Sequence, residues 1–120
     1  LPHKTLHGLK RLKNATRYSY QGLKATFKHE PAFQEEILLA AIMIPAACFI
    51  GETQWERILL IATVVLVLIA ELFNSAIEAV VDRVGTDHHE LSGRAKDIGS
   101  AAVMVTMLLT GYVWLDILVL

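Results

Sequence analysis

Three long apolar stretches run through this 120-residue chain, and they leave few folds open to it. Residues 37–50 carry no charge and contain Pro45. Residues 58–70 are uncharged and continue greasy to Val81, interrupted only by Glu71 and Glu78. Residues 98–115 are uncharged again. A membrane span needs roughly 20 mainly apolar residues. The first stretch reaches that length if Phe33 and the Glu35–Glu36 region sit at the interface. The second reaches it only by carrying its two carboxylates. Hydrophobic residues make up 54% of the chain and charged ones 19%, below the usual quarter in soluble domains. So short a soluble chain would struggle to hide that much apolar surface. The expected fold is all-α and integral to a membrane, with transmembrane helices over about 31–50, 54–84 and 91–119. The competing fold is a soluble three-helix bundle of wholly apolar helices. Pro45 should kink the first span or start a new turn, which membrane helices tolerate.

The charge distribution adds a fourth helix. Seven of the eleven Lys and Arg residues precede residue 29, and no acid occurs before Glu30. Leu6, Leu9, Leu12, Thr16, Tyr20, Leu23 and Phe27 recur at helical spacing, with basic residues over much of the remaining surface. That pattern suits an amphipathic helix over 1–29 lying on an anionic membrane surface. The alternatives are a helix packed on a soluble core or a nucleic-acid arm. The segment lacks the apolar run and small-residue cleavage pattern of a secretory signal. A net charge of −1 argues against a globally basic nucleic-acid binder, and the single cysteine, Cys48, leaves no intrachain disulfide.

The connectors set the expected orientation. In Gly51–Glu56, Thr53 stands three residues before Glu56, the spacing of a capping box, and Trp55 suits a membrane interface. The stretch from Asp82 to Asp97 is polar and holds Arg83, Arg94 and Lys96. Gly85 is placed to close one helix, and Asp87 or Ser92 to open the next. The positive-inside rule then puts the N-terminal helix and this connector in the cytoplasm, and the first connector and the C-terminus on the other side.

Glu71, Asn74, Ser75, Glu78 and Asp82 fall within about 100° of arc on one helix face. An ionised side chain at the centre of a membrane helix costs about 2.5–3.5 kcal/mol on insertion scales, and such residues are usually functional. A purely structural hydrogen-bond ladder would account for Asn74 and Ser75, but poorly for two glutamates one heptad apart. Glu71 is the deeper carboxylate and Glu78 the one nearer the cytoplasm. Glu30, Glu35 and Glu36 stand where the first span begins, and Lys96, Asp97 and Ser100 where the third begins. Acids converging at one interface beside cations suit a hard divalent metal carrying a polyphosphate. Ala95, Gly99 and Val103 let helices approach closely. No phosphate-binding Gly-rich loop or protein-kinase motif is present, and His88-His89-Glu90 reads as a solvated loop.

The stretch ELFNSAIEAVVDRVG, residues 71–85, followed by HELSGRAKDIGSAAV over residues 89–103, resembles the prokaryotic membrane diacylglycerol kinase family. YSYQGLKATFKHEPAFQEE over residues 18–36 is similar to that family's interfacial region. The likeness spans about 100 residues in order, with departures at Tyr20, Phe27, Gln34, Glu35 and His88. It implies a homotrimer in the bacterial cytoplasmic (inner) membrane, whose subunits phosphorylate diacylglycerol to phosphatidic acid with Mg2+ and ATP. Residues 30–120 would be the three-span kinase domain. By the same resemblance, Glu71 would be the general base and Glu30 and Glu78 the metal ligands. Arg11, Tyr18, Glu30, Glu78, Asp87, His88, His89, Lys96 and Asp97 would contact ATP. Glu36, Asn74, Asp82 and Ser100 would support the site or the lipid substrate. No nucleic-acid partner is expected. The rival readings are an undecaprenol kinase of the same family and a small proton-coupled membrane transporter.

Overall fold

The computed structural model describes residues 2–120, with side chains from residue 7 onward, so Lys4 and Leu6 of the expected amphipathic helix lie outside the described side chains. Four helices follow one another: α1 (Pro2–His29), α2 (Pro31–Ile50), α3 (Gln54–Val84) and α4 (Glu90–Val119). No strand occurs among the described residues. α2, α3 and α4 are each long and apolar enough to cross a membrane.

Short sequence signals set the helix boundaries. Pro31 occupies the first turn of α2, where its missing N–H is not needed. A residue before proline is pushed out of the helical region, and Glu30 adopts the extended backbone that separates α1 from α2. Gln34 Nε2 donates to the Phe27 carbonyl at 2.6 Å and ties this corner together. At α3, the N-cap Thr53 Oγ1 accepts from Glu56 N at 3.1 Å, while Glu56 Oε1 accepts from Glu52 N at 3.0 Å, one residue before the N-cap N–H of a reciprocal capping box. Gly85 closes α3 as expected. The start of α4 differs from both sequence candidates. His89 is its N-cap, with Nδ1 accepting from Leu91 N at 3.1 Å. Asp87 lies before the cap and Ser92 inside the helix, because an imidazole nitrogen fills the acceptor role usually taken by Ser or Asp. Pro45 stands within α2 without ending it.

α3 packs most extensively on α4 and next on α2. Ala40, Ala47, Leu60, Val64 and Trp114 form the apolar core. Trp114 Nε1 donates to the Leu60 carbonyl at 3.2 Å and Thr110 Oγ1 to the Thr63 carbonyl at 3.1 Å, two links between α3 and α4. Around this small core the polarity is inverted relative to a water-soluble bundle. Glu36, Thr63, Glu71, Asn74 and Ser75 are buried, while Leu38, Ile42, Phe49, Ile98 and Leu108 face outward. Each outward side chain would cost about 25 cal/mol per Å² of apolar surface in water and costs little in hydrocarbon. The soluble-bundle alternative therefore fails.

The molecule extends 51 × 48 × 23 Å. Three packed helices about 10 Å across fill one long dimension and the thickness, but not a second long dimension. α1, roughly 42 Å long at 1.5 Å per residue, supplies it by running out from one end of the bundle. Leu9, Leu12, Tyr20, Leu23 and Phe27 are exposed along it.

Candidate active site

The site is built at the corner where α1 meets α2, against the polar face of α3. Glu30 occupies the N-cap position of α2, yet its side chain makes no capping bond. It instead lines a cavity of about 400 Å³ with Glu71, Asn74 and Glu78 of α3 and Ser100, Val103, Met104 and Met107 of α4. Heptad spacing on α3 turns Glu71 and Glu78 to one side, and helix packing brings Glu30, at the α1–α2 break, into the same cavity. Its lining combines the carboxylates of Glu30, Glu71 and Glu78 with apolar side chains, Pro31 and Ala32 of α2 and Val103, Met104 and Met107 of α4.

The carboxylates differ in environment. Glu71 is 5% exposed, whereas Glu78 is half-buried. Asn74 Nδ2 donates to Glu78 Oε1 at 3.3 Å, while its Oδ1 has no hydrogen-bond partner, and neither does buried Ser75 Oγ. Glu36 is also buried, with Oε2 unpartnered. It lies at one end of a separate groove of about 180 Å³, lined by Leu39, Ala40, Met43, Val64, Leu68 and Met107 among others. Among the described residues, no group of three or more His, Cys, Asp or Glu side chains could hold a metal ion.

Comparison with known proteins decides what kind of chain this is. A family model described as prokaryotic diacylglycerol kinase matches residues 17–118. The chain belongs to the prokaryotic diacylglycerol kinase family. It is similar to a diacylglycerol kinase of Haemophilus influenzae, 57% identical over 92% of this chain and 94% of that one. It also resembles diacylglycerol kinases of Pseudomonas aeruginosa, 48% identical over 98% and 95% of the two chains, and of Escherichia coli strain K12, 46% identical over 89% and 88%. The chain is thus an enzyme, a membrane lipid kinase.

The remaining residues that the family resemblance implicates fall into three places in this kinase. Asp82, Asp87, His88, His89 and Lys96 line a second cavity of about 240 Å³ formed by the α3–α4 connector. There Lys96 Nζ pairs with Asp82 Oδ1 at 2.7 Å, tying the last turn of α3 to the second turn of α4. Asp97 follows on the exposed side of α4. Arg11 and Tyr18 lie exposed on the α1 arm, with the Arg17 guanidinium 5.2 Å from the centre of the Tyr18 ring. Nineteen residues of helix put Arg11 roughly 28 Å along α1 from Glu30. One copy of the chain therefore brings together Glu30, Glu71, Asn74, Glu78 and Ser100, brings a second group together at the connector, and leaves Arg11 and Tyr18 apart. The sequence reading did not single out Met104 and Met107, which line the cavity. Both are apolar residues in an apolar helix and carry no pattern that separates them from lipid-facing neighbours.

Proposed function

We propose that this kinase phosphorylates diacylglycerol to phosphatidic acid with Mg–ATP by direct transfer, with Glu71 as general base. The observation that carries the reading is one cavity with two kinds of lining. Glu30, Glu71 and Glu78 share it with an apolar surface that includes Val103, Met104 and Met107. A lipid can lay its glycerol end along that surface while its chains remain in the bilayer. Glu71, the more buried carboxylate, accepts the proton of the lipid hydroxyl. The hydroxyl oxygen bonds to the γ-phosphorus as the bond to the ADP oxygen breaks, and ADP leaves with the electron pair.

Glu30 and Glu78 would hold the metal. Two carboxylates are too few for an all-protein cage, but Mg2+ usually takes one or two carboxylates with substrate phosphates and water completing its shell. Glu30 is free of capping duty and Glu78 has one oxygen held by Asn74, a donor set that fits a metal arriving on a nucleotide. When bound, the metal neutralises charge on the transferring phosphates. Lys96, His88, His89 and Asp87 at the connector would hold the nucleotide, with Arg11, Tyr18 and Asp97 completing its contacts. Glu36, Ser100 and Asp82 would support the site or the lipid.

The reading extends to a homotrimer in a bacterial inner membrane, with residues 1–29 on the cytoplasmic surface and residues 30–120 as the kinase domain. Exposed apolar faces on all three spans leave room for partner subunits and lipid. The N-terminus and the Asp82–Asp97 connector are expected in the cytoplasm and the C-terminus outside. Single-cysteine labelling from each side in a Cys48→Ser background checks this, and a C-terminus labelled only from the cytoplasm would overturn three crossings.

Radiolabelled ATP offered to mixed micelles of diacylglycerol and undecaprenol tests the function. Label is expected mainly in phosphatidic acid. Label in undecaprenyl phosphate alone would reassign the substrate. No labelled lipid, together with ATP-independent flux in vesicles, would favour the transporter reading.

A further inference from the structure

Gly99 of α4 carries no side chain of its own, yet it faces the amide of Asn74 beside the acidic site. It is buried on α4, and a Cβ built there would collide with Asn74 Oδ1, lie 3.3 Å from Asn74 Cγ and touch Ile77 Cδ1 at 3.6 Å. The Asn74 amide oxygen is therefore pressed into the notch that the absent Cβ leaves. Oδ1 is buried with no hydrogen-bond partner, so no hydrogen bond holds the amide in place from that side. Its other end, Nδ2, donates to Glu78 Oε1 at 3.3 Å. With the oxygen in the notch, the nitrogen must face the carboxylate.

We infer that Gly99 is a positioning residue for Glu78: its missing side chain seats the Asn74 amide, and the amide sets the Glu78 carboxylate. The inference rests on the assignment of Glu78 to the metal. Removing an outer-shell partner of a metal ligand typically costs 10–100-fold in affinity or activity, and a methyl at residue 99 should act with that strength although it touches no substrate. Gly111 supplies the comparison on the same helix, since a Cβ there meets nothing within 4 Å.

The test uses the full chain in detergent micelles, with Mn2+ binding followed by electron paramagnetic resonance in the presence of a non-hydrolysable ATP analogue. Gly99→Ala is expected to weaken Mn2+ binding roughly 10–100-fold and to raise the Mg2+ concentration needed for half-maximal kinase activity in proportion. Gly111→Ala should match wild type. Asn74→Ala should show a similar loss, and the double variant Gly99→Ala/Asn74→Ala should be no weaker than Asn74→Ala alone, since a residue that acts only through another adds nothing once that other is gone. Wild-type Mn2+ affinity in Gly99→Ala, or losses that multiply in the double variant, would overturn the inference. If Gly99→Ala fails to fold, the double variant decides: with the amide removed there is room for the methyl, and Mn2+ affinity equal to that of Asn74→Ala supports the inference, while further loss or failure to fold refutes it. Glu78→Gln separates the two levels. If it binds Mn2+ like wild type, the metal assignment itself is at fault. If it loses Mn2+ and Gly99→Ala does not, only the role of Gly99 falls.

Discussion

Glu71→Gln should lower turnover by roughly 10²–10⁴-fold, the range that general-base catalysis supplies, with Mg–ATP affinity almost unchanged. Glutamine keeps the size of the side chain and most of its hydrogen bonding but cannot take a proton from the lipid hydroxyl. Glu71 is buried on α3 just under two turns from Glu78, so the proposed metal ligands stay in place. A merely structural Glu71 gives the opposite pattern. Glutamine would then preserve the interhelical contacts and most of the activity, while Glu71→Ala would destabilise the bundle. Turnover, nucleotide affinity and oligomer size, measured for both variants, separate the two. An active Glu71→Gln enzyme would remove the catalytic assignment and leave Asp97 as the next candidate, although Asp97 is exposed and outside the acidic cavity.

Glu78→Gln should abolish phosphoryl transfer for a different reason. It keeps a hydrogen-bonding partner for Asn74 but removes one of two anionic donors from the metal. With so small a protein share of the coordination shell, losing either donor is severe, and Glu30→Gln should behave alike. The distinguishing measurement is activity as a function of Mg2+ or Mn2+ concentration. The half-saturating concentration should rise strongly in both variants, whereas in Glu71→Gln it should stay near the wild-type value. Wild-type metal dependence in Glu78→Gln would contradict the metal assignment.

The sequence makes the helices and the acidic face legible for plain physical reasons. Uncharged stretches of 13 to 18 residues have few folded solutions outside a bilayer, and the 0, 3, 4, 7 spacing of Glu71, Asn74, Ser75 and Glu78 follows from helical geometry alone. Glu30–Pro31 likewise marks a helix break on local sterics. What stays hidden depends on contacts between helices. That Glu30 shares a cavity with Glu71 and Glu78 is a tertiary fact. So is the seating of Asn74 against Gly99, which in sequence reads only as one small residue in a stripe that permits close packing. The start of α4 is hidden because histidine is a poor signal for a helix N-terminus, yet His89 Nδ1 makes the capping bond. Nothing in the sequence marks Met104 and Met107, because in a membrane helix lining a site and facing lipid use the same residue types.

In the proposed direct transfer, Glu71 moves a proton and never carries the phosphoryl group. The most direct test is the stereochemistry at phosphorus. ATP whose γ-phosphoryl group is made chiral with oxygen isotopes is turned over with diacylglycerol, and the configuration of the phosphatidic acid is determined. A single in-line displacement inverts the configuration, and inversion is the expected result. Retention would mean two displacements through a phosphorylated enzyme, with a carboxylate such as Glu71 acting as nucleophile, and would contradict the account.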